Sequence, residues 1–151
     1  MKMSIVFESD KIRDAYMNGE KKFEWTNGNS CIDLRNAEED LVLNPGETRL
    51  IKSGVRVQLE HGDDLVEWHV SSRSGMAAKG VLCHLGTIDY GYTGVGGVCL
   101  TNLSNVPVPI EFGDRIAQLR VIKIEKPIIE FVEKLNETER GDRGFGSSGV
   151  K

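Results

Sequence analysis

Leu50-Ile51-Lys52-Ser53-Gly54-Val55-Arg56-Val57-Gln58-Leu59, then His61-Gly62-Asp63-Asp64, then Leu65-Val66-Glu67-Trp68-His69-Val70, decides the fold class. Val55, Val57 and Leu59 alternate with polar residues, which is the two-residue period of a half-buried strand. The Gly-Asp-Asp stretch is a turn. Val66, Trp68 and Val70 then fall on one face of a second strand. Working outward, Asn44-Pro45-Gly46-Glu47 is another turn, and residues 97–103, 106–110, 116–124 and 128–132 repeat the strand pattern. Pro107 and Pro109 confine their strand to an edge or an irregular ladder. One helix candidate is residues 8–19, with Ser9 or Asp10 as cap and Ile12, Ala15 and Tyr16 at helical spacing, and a short helix-compatible run follows Arg73-Ser74-Gly75. Many short strands with turns between them predict an all-β barrel or sandwich with jelly-roll or Greek-key connections and at most one short helix.

The chain has 151 residues, 19 Lys+Arg against 23 Asp+Glu, and a formal net charge of −4. One domain of this size can bury a real core. A weakly acidic chain is a poor general nucleic-acid or anionic-membrane binder, although a local basic cluster still suffices for a small phosphate compound. Cys31, Cys83 and Cys99 form no CxxC pair and predict neither a disulfide framework nor a structural zinc site. The apolar run Ser4-Ile5-Val6-Phe7 is too short for a signal segment, and no stretch reaches membrane-span length. The expected location is the cytoplasm, of a cell or of an infected host. Residues 136–151 have almost nothing to bury and predict a mobile glycine-rich tail after a domain of residues 1–135.

Four stretches carry chemistry. Residues 72–80 place Arg73, Ser74 and Gly75 after a strand, where a guanidinium, a hydroxyl and backbone N–H groups can hold phosphate oxygens; a plain strand-to-turn connection is the alternative. Residues 86–94 read as a hairpin with Asp89 entering it and Tyr90 and Tyr92 at its turn. There Asp89 is either a general base for a water or a turn cap. Residues 113–119 are a Gly-Asp turn opening a strand that presents Arg115 and Gln118, unless these are only exposed polar residues. The tail, residues 140–149, combines Arg140, Phe145, Gly146, Ser147 and Ser148: phosphate-wrapping groups beside an aromatic ring, or a disordered terminus.

In this order the stretches resemble the five motifs of the homotrimeric dUTPase family. Ser30-Cys31-Ile32-Asp33-Leu34 is similar to the first, usually Ala-Gly-Tyr-Asp-Leu. Residues 72–79, 86–94, 113–119 and 140–149 are similar to the second to fifth, and Gly113-Asp114-Arg115-Ile116-Ala117-Gln118-Leu119 matches the fourth at every position. The resemblance implies a β-clip jelly roll. It implies a homotrimer with active sites shared between subunits, and Mg²⁺-assisted hydrolysis of dUTP to dUMP and pyrophosphate. It also implies that Asp89 deprotonates the attacking water, and that Asp33 holds waters of a Mg²⁺ bound mainly by the substrate phosphates. Arg73, Ser74, Gly75, Arg115 and Gln118 would bind phosphates. Leu85, Gly86, Thr87 and Ile88 would read uracil and Tyr92 would pack under the deoxyribose. The tail would close as a lid, with Phe145 on uracil and Arg140, Gly146, Ser147 and Ser148 on the γ-phosphate.

Several positions depart from the family pattern. Ser30-Cys31-Ile32 replaces Ala-Gly-Tyr, Ser72 replaces Pro, Gly91 replaces Asp, Thr93 replaces Arg and Arg143 replaces Gly. Cys83 and His84 stand just before the hairpin, where some relatives use a side-chain amide for uracil; whether His84 meets the base or faces solvent stays open. Two other readings share the resemblance. A dCTP deaminase needs a positioned Glu that this hairpin lacks. A nucleotide-gated regulatory protein would dock a partner protein, and residues 1–29 and 60–64 are the first places to look for that surface.

Overall fold

The computed structural model describes residues 1–18, 22–26, 28–60, 62 and 65–144. Strand β4 (Thr48–Glu60) is the organising element. Its alternation buries Ile51, Val55, Val57 and Leu59. Gly54 breaks the regular strand at φ +67°, and a Cβ there would lie 2.7 Å from Ala37 Cβ. Around this irregularity the register shifts between Lys52 and Arg56. The first half of β4 pairs antiparallel with β8 (Val95–Asn102), and the second half pairs with β1 (Lys2–Phe7). Strand β6 (Val81–Cys83) completes a sheet in the order β1-β4-β8-β6.

The second sheet runs β2-β10-β5-β7, formed by Ile32–Arg35, Arg115–Ile124, Leu65–Ser71 and Gly86–Ile88. Leu34, Val66, Trp68, Val70 and Leu119 of this sheet meet Ile51, Val55, Val98 and Leu100 of the first in one core cluster. Gly96 permits that closeness, since an added Cβ would sit 2.6 Å from Trp68 Cη2. A two-stranded sheet joins β3 (Leu41–Leu43) to β9 (Val108–Ile110). Pro109 stands opposite Val42 in this short edge ladder, where its missing N–H is tolerated. The result is the all-β jelly-roll architecture expected from the alternation.

Helix α1 (Asp10–Met17) starts where Ser9 Oγ accepts from the Ile12 N–H at 3.2 Å. Tyr16 anchors it. Its ring packs on Phe7 and Phe23, each at 5.3 Å between centroids. Its hydroxyl accepts from the Arg35 N–H at 2.7 Å and donates to the Ser53 carbonyl at 2.9 Å. Burial pushes the Tyr16 phenol well above its ordinary pKa.

Three expectations need correction. The described residues hold two helices, not one at most: α2 (Ser74–Ala77) is a single turn closed by Met76 and Ala77 N–H groups on the Arg73 carbonyl. Residues 128–132 form no strand, and Ile128 and Phe131 stand 97% exposed because no described strand pairs with that segment. Residues 86–94 are not a paired hairpin. Strand β7 pairs with β5 and β8 with β4 and β6, so the Asp89 turn crosses from one sheet to the other. Among the described residues no helix is long and apolar enough to cross a membrane. The three cysteines are free thiols, with Cys83 buried.

Candidate active site

Strand β2 places Asp33 and strand β10 places Arg115 and Gln118. The two strands pair with Asp33 directly opposite Gln118. Arg73 comes from the turn after β5. Asp33 Oδ1 accepts from Arg73 Nε at 2.9 Å, and Asp33 Oδ2 accepts from Arg115 Nη1 at 3.0 Å. Arg73 Nη1 also donates to the Arg115 carbonyl at 2.7 Å. One carboxylate thus fixes two guanidiniums, and each retains N–H donors beyond those used.

These four side chains line a cavity of about 480 Å³, within the usual size for a small-molecule site. The far wall is the segment before β2, including Lys22, Glu24, Thr26 and Asn29. Arg35, two residues beyond Asp33 on β2, donates from Nη1 to the Gly113 carbonyl at 2.7 Å. Burial first, then the neighbouring Arg115 charge, draws the Arg35 guanidinium below its ordinary pKa. The Gly113-Asp114 turn needs its glycine at φ +86°, and Asp114 Oδ2 caps it by accepting from the Glu111 N–H at 2.9 Å. The turn therefore holds Arg115 at the cavity edge, and both its glycine and its aspartate shape it.

Asp89 lies elsewhere. It is exposed and lines a second cavity of about 230 Å³ with Thr87, Ile88, Tyr92, Val95 and Gly97. Asp89 closes its turn by accepting from the Tyr92 N–H through its carbonyl at 2.9 Å, and Tyr92 Oη donates to the Val95 carbonyl at 3.2 Å. The two cavities share no lining residue.

The remaining expected residues divide. Ser74 and Gly75 open α2 directly after Arg73, where first-turn N–H groups have no partner within the helix. Leu85 is 61% exposed at the entry to β7. Neither Cys83 nor His84 lines either of these two cavities. His84 Nε2 lies 2.7 Å from Thr101 Oγ1, so its ring is engaged by β8. Burial, then neighbouring Cys99, pushes the Cys83 thiol up to about 11, which makes it a poor nucleophile. Arg140 is exposed. Phe145, Gly146, Ser147 and Ser148 lie outside the described residues.

Sequence reasoning missed Arg35 and the wall of Lys22, Glu24, Thr26 and Asn29. The i, i+2 spacing from Asp33 puts Arg35 on the same strand face and was the available signal. Nothing in the local pattern around Lys22 carried one.

The all-β jelly roll thus carries one cavity lined by Lys22, Arg73 and Arg115 beside Asp33 and Glu24, and another lined by Asp89. The dUTPase family model matches residues 25–149. The deoxyuridine 5'-triphosphate nucleotidohydrolase of Neorickettsia sennetsu is 41% identical over 128 residues, covering 82% of this chain and 84% of the relative. That of Mycolicibacterium gilvum is 41% identical over 131 residues, covering 81% and 82%. The structure of the Staphylococcus bacteriophage 80alpha dUTPase with dUPNHPP has a TM-score of 0.79 at 28% identity, covering 99% of each chain. The chain belongs to the dUTPase family.

Proposed function

We propose that this chain hydrolyses dUTP to dUMP and pyrophosphate in a site that a second copy of the chain completes. The observation that carries the reading is the division of labour on the surface. Asp33, Arg73, Arg115 and Gln118 share one cavity, while Asp89 and Tyr92 share another with no residue in common. The smaller cavity falls below the size of a whole nucleotide site but suits its nucleoside end. The larger one carries the charge that a triphosphate needs. A substrate therefore lies with its uracil end on one copy and its phosphates on the next.

In the joined site, Asp89 takes a proton from water, whose oxygen bonds to the α-phosphorus. The bond from that phosphorus to the bridging oxygen breaks, and pyrophosphate leaves. Positioning and charge neutralisation carry most of such a step. Arg73, Arg115 and Gln118 hold phosphate oxygens, aided by the Ser74 and Gly75 amides. Residues 85–88 read uracil through backbone groups, and Tyr92 packs against the deoxyribose. Among the described residues no cluster of three or more acidic, His or Cys side chains could hold a metal alone. Asp33, whose two oxygens already accept from Arg73 and Arg115, would hold waters of a Mg²⁺ bound mainly by the substrate phosphates. There the ion would neutralise phosphate charge. Residues 136–151, with Arg140, Phe145, Gly146, Ser147 and Ser148, serve as the lid. A homotrimer fits the family. It also gives the exposed Ile128, Ile129, Phe131 and Val132 a surface to cover, since such runs rarely remain bare.

The test is pyrophosphate release with Mg²⁺ from dUTP, dCTP, dTTP and UTP separately. Turnover of dUTP with at least ~10²-fold preference over the others is expected, because an unpaired polar group or a clash in a tight site costs that much. Ammonia release from dCTP, or no release from any nucleotide, would overturn the reading.

A further inference from the structure

Residues 22–24 lie outside the 25–149 stretch that matches the family model, yet Lys22 and Glu24 line the Asp33–Arg73–Arg115 cavity. Their placement is built. Glu24 N–H donates to the Lys22 carbonyl at 2.9 Å, which closes a three-residue turn with Phe23 at its apex. Phe23 packs edge-on against Tyr16 at 5.3 Å and Phe7 at 6.0 Å, and its N–H donates to the Tyr16 carbonyl at 3.1 Å. Tyr16 in turn is bonded through its hydroxyl to the Arg35 N–H on β2, two residues from Asp33. One aromatic cluster therefore fixes both the strand carrying Asp33 and the opposite wall.

The charges point to a role for that wall. Asp33 is already engaged by two guanidiniums. Lys22 makes no ion pair among the described residues and so remains an uncommitted cation in the lining. Glu24 is the opposing charge on the same turn, so the wall is not a general anion trap.

We propose that Lys22 is a substrate-binding residue for the polyphosphate chain, held in place by Phe23 against Tyr16 and Phe7. The inference rests on the hydrolase reading above for the identity of the ligand. In this arrangement the β1–α1 unit is a scaffold for one side of the phosphate cavity. Lys22 contributes attraction to the β- and γ-phosphates, and nothing to the uracil end, whose residues line the other cavity.

The experiment titrates the full-length protein with the non-hydrolysable analogue dUpNHpp and with dUMP, and measures kcat and KM for dUTP. Lys22→Gln should weaken the analogue and raise KM by about 3- to 5-fold, the upper range of a solvated ion contact. It should leave kcat and dUMP affinity within about twofold, because a contact made equally in ground and transition states affects KM alone. Lys22→Arg should restore most of the loss. Lys2→Gln removes the same charge from an exposed pair with Glu60 and should change nothing. Phe23→Leu, which keeps an apolar side chain but loses the edge contacts, should shift the analogue in the same direction as Lys22→Gln. Analogue affinity unchanged in Lys22→Gln, or dUMP weakened as much as the analogue, would overturn the proposal. A wild-type protein that binds dUpNHpp but releases no pyrophosphate from dUTP would sink the hydrolase reading instead, and the titration would still judge Lys22.

Discussion

Asp89→Asn should reduce dUTP turnover by about 10²- to 10⁴-fold, the usual contribution of a positioned general base. The side chain keeps its shape and loses its ability to take a proton. Asp89 is exposed on the turn between β7 and β8, and its turn-closing bond is made by its backbone carbonyl, so the substitution leaves the fold alone. Binding of dUpNHpp should therefore persist at near wild-type affinity. Single-turnover rates together with calorimetric titration separate the two effects. A variant that hydrolyses dUTP at the wild-type rate would show that Asp89 merely caps a turn.

Arg73→Ala should cost about 10²- to 10³-fold in kcat/KM, the scale for removing one donor that stabilises developing charge. The loss has two sources. The guanidinium itself is gone from the phosphate cavity. Its bonds to Asp33 Oδ1 and to the Arg115 carbonyl also vanish, so Arg115 loses a partner that fixes the strand end. A guanidinium that holds phosphate in the ground state as well as the transition state contributes to both, so KM should rise along with the fall in kcat. Arg73→Lys should recover little, because an ammonium cannot reproduce the forked contact to a carboxylate and a phosphate together. Wild-type kinetics in Arg73→Ala would place the triphosphate outside this cavity.

The core strands were legible because their chemistry is periodic. Val55, Val57 and Leu59, and then Val66, Trp68 and Val70, alternate cleanly, and all six are buried. Asp33, Arg73, Arg115 and Gln118 were legible because their motifs are contiguous, and the fold brings the four together. The short strands β3 and β6 span three residues each and carry too few positions for a period to register. Residues 128–132 have strand composition without a strand, since the alternation says nothing of whether a partner strand is in reach. The stretch 86–94 resembled a hairpin because turn chemistry is the same whether the flanking strands pair with each other or with different sheets. The wall of Lys22, Glu24, Thr26 and Asn29 was invisible for another reason. Its position follows from Phe23 meeting Phe7 and Tyr16, contacts between segments whose spacing follows no pattern. Residues 2–17, part of the 1–29 stretch named as a candidate partner surface, supply β1 and α1 to the same aromatic cluster and the core around it.

The central claim is that one copy supplies Asp89 and another supplies the phosphate cavity. Co-expressing Asp89→Asn with Arg115→Ala subunits tests it most directly. Each variant alone should be nearly inactive. A population assembled at random from equal amounts of the two should recover activity at about a quarter of its sites, because a random pairing sets an intact Asp89 against an intact Arg115 that often in a closed ring. A mixture that assembles but stays as inactive as its parents would mean that each chain builds its site alone.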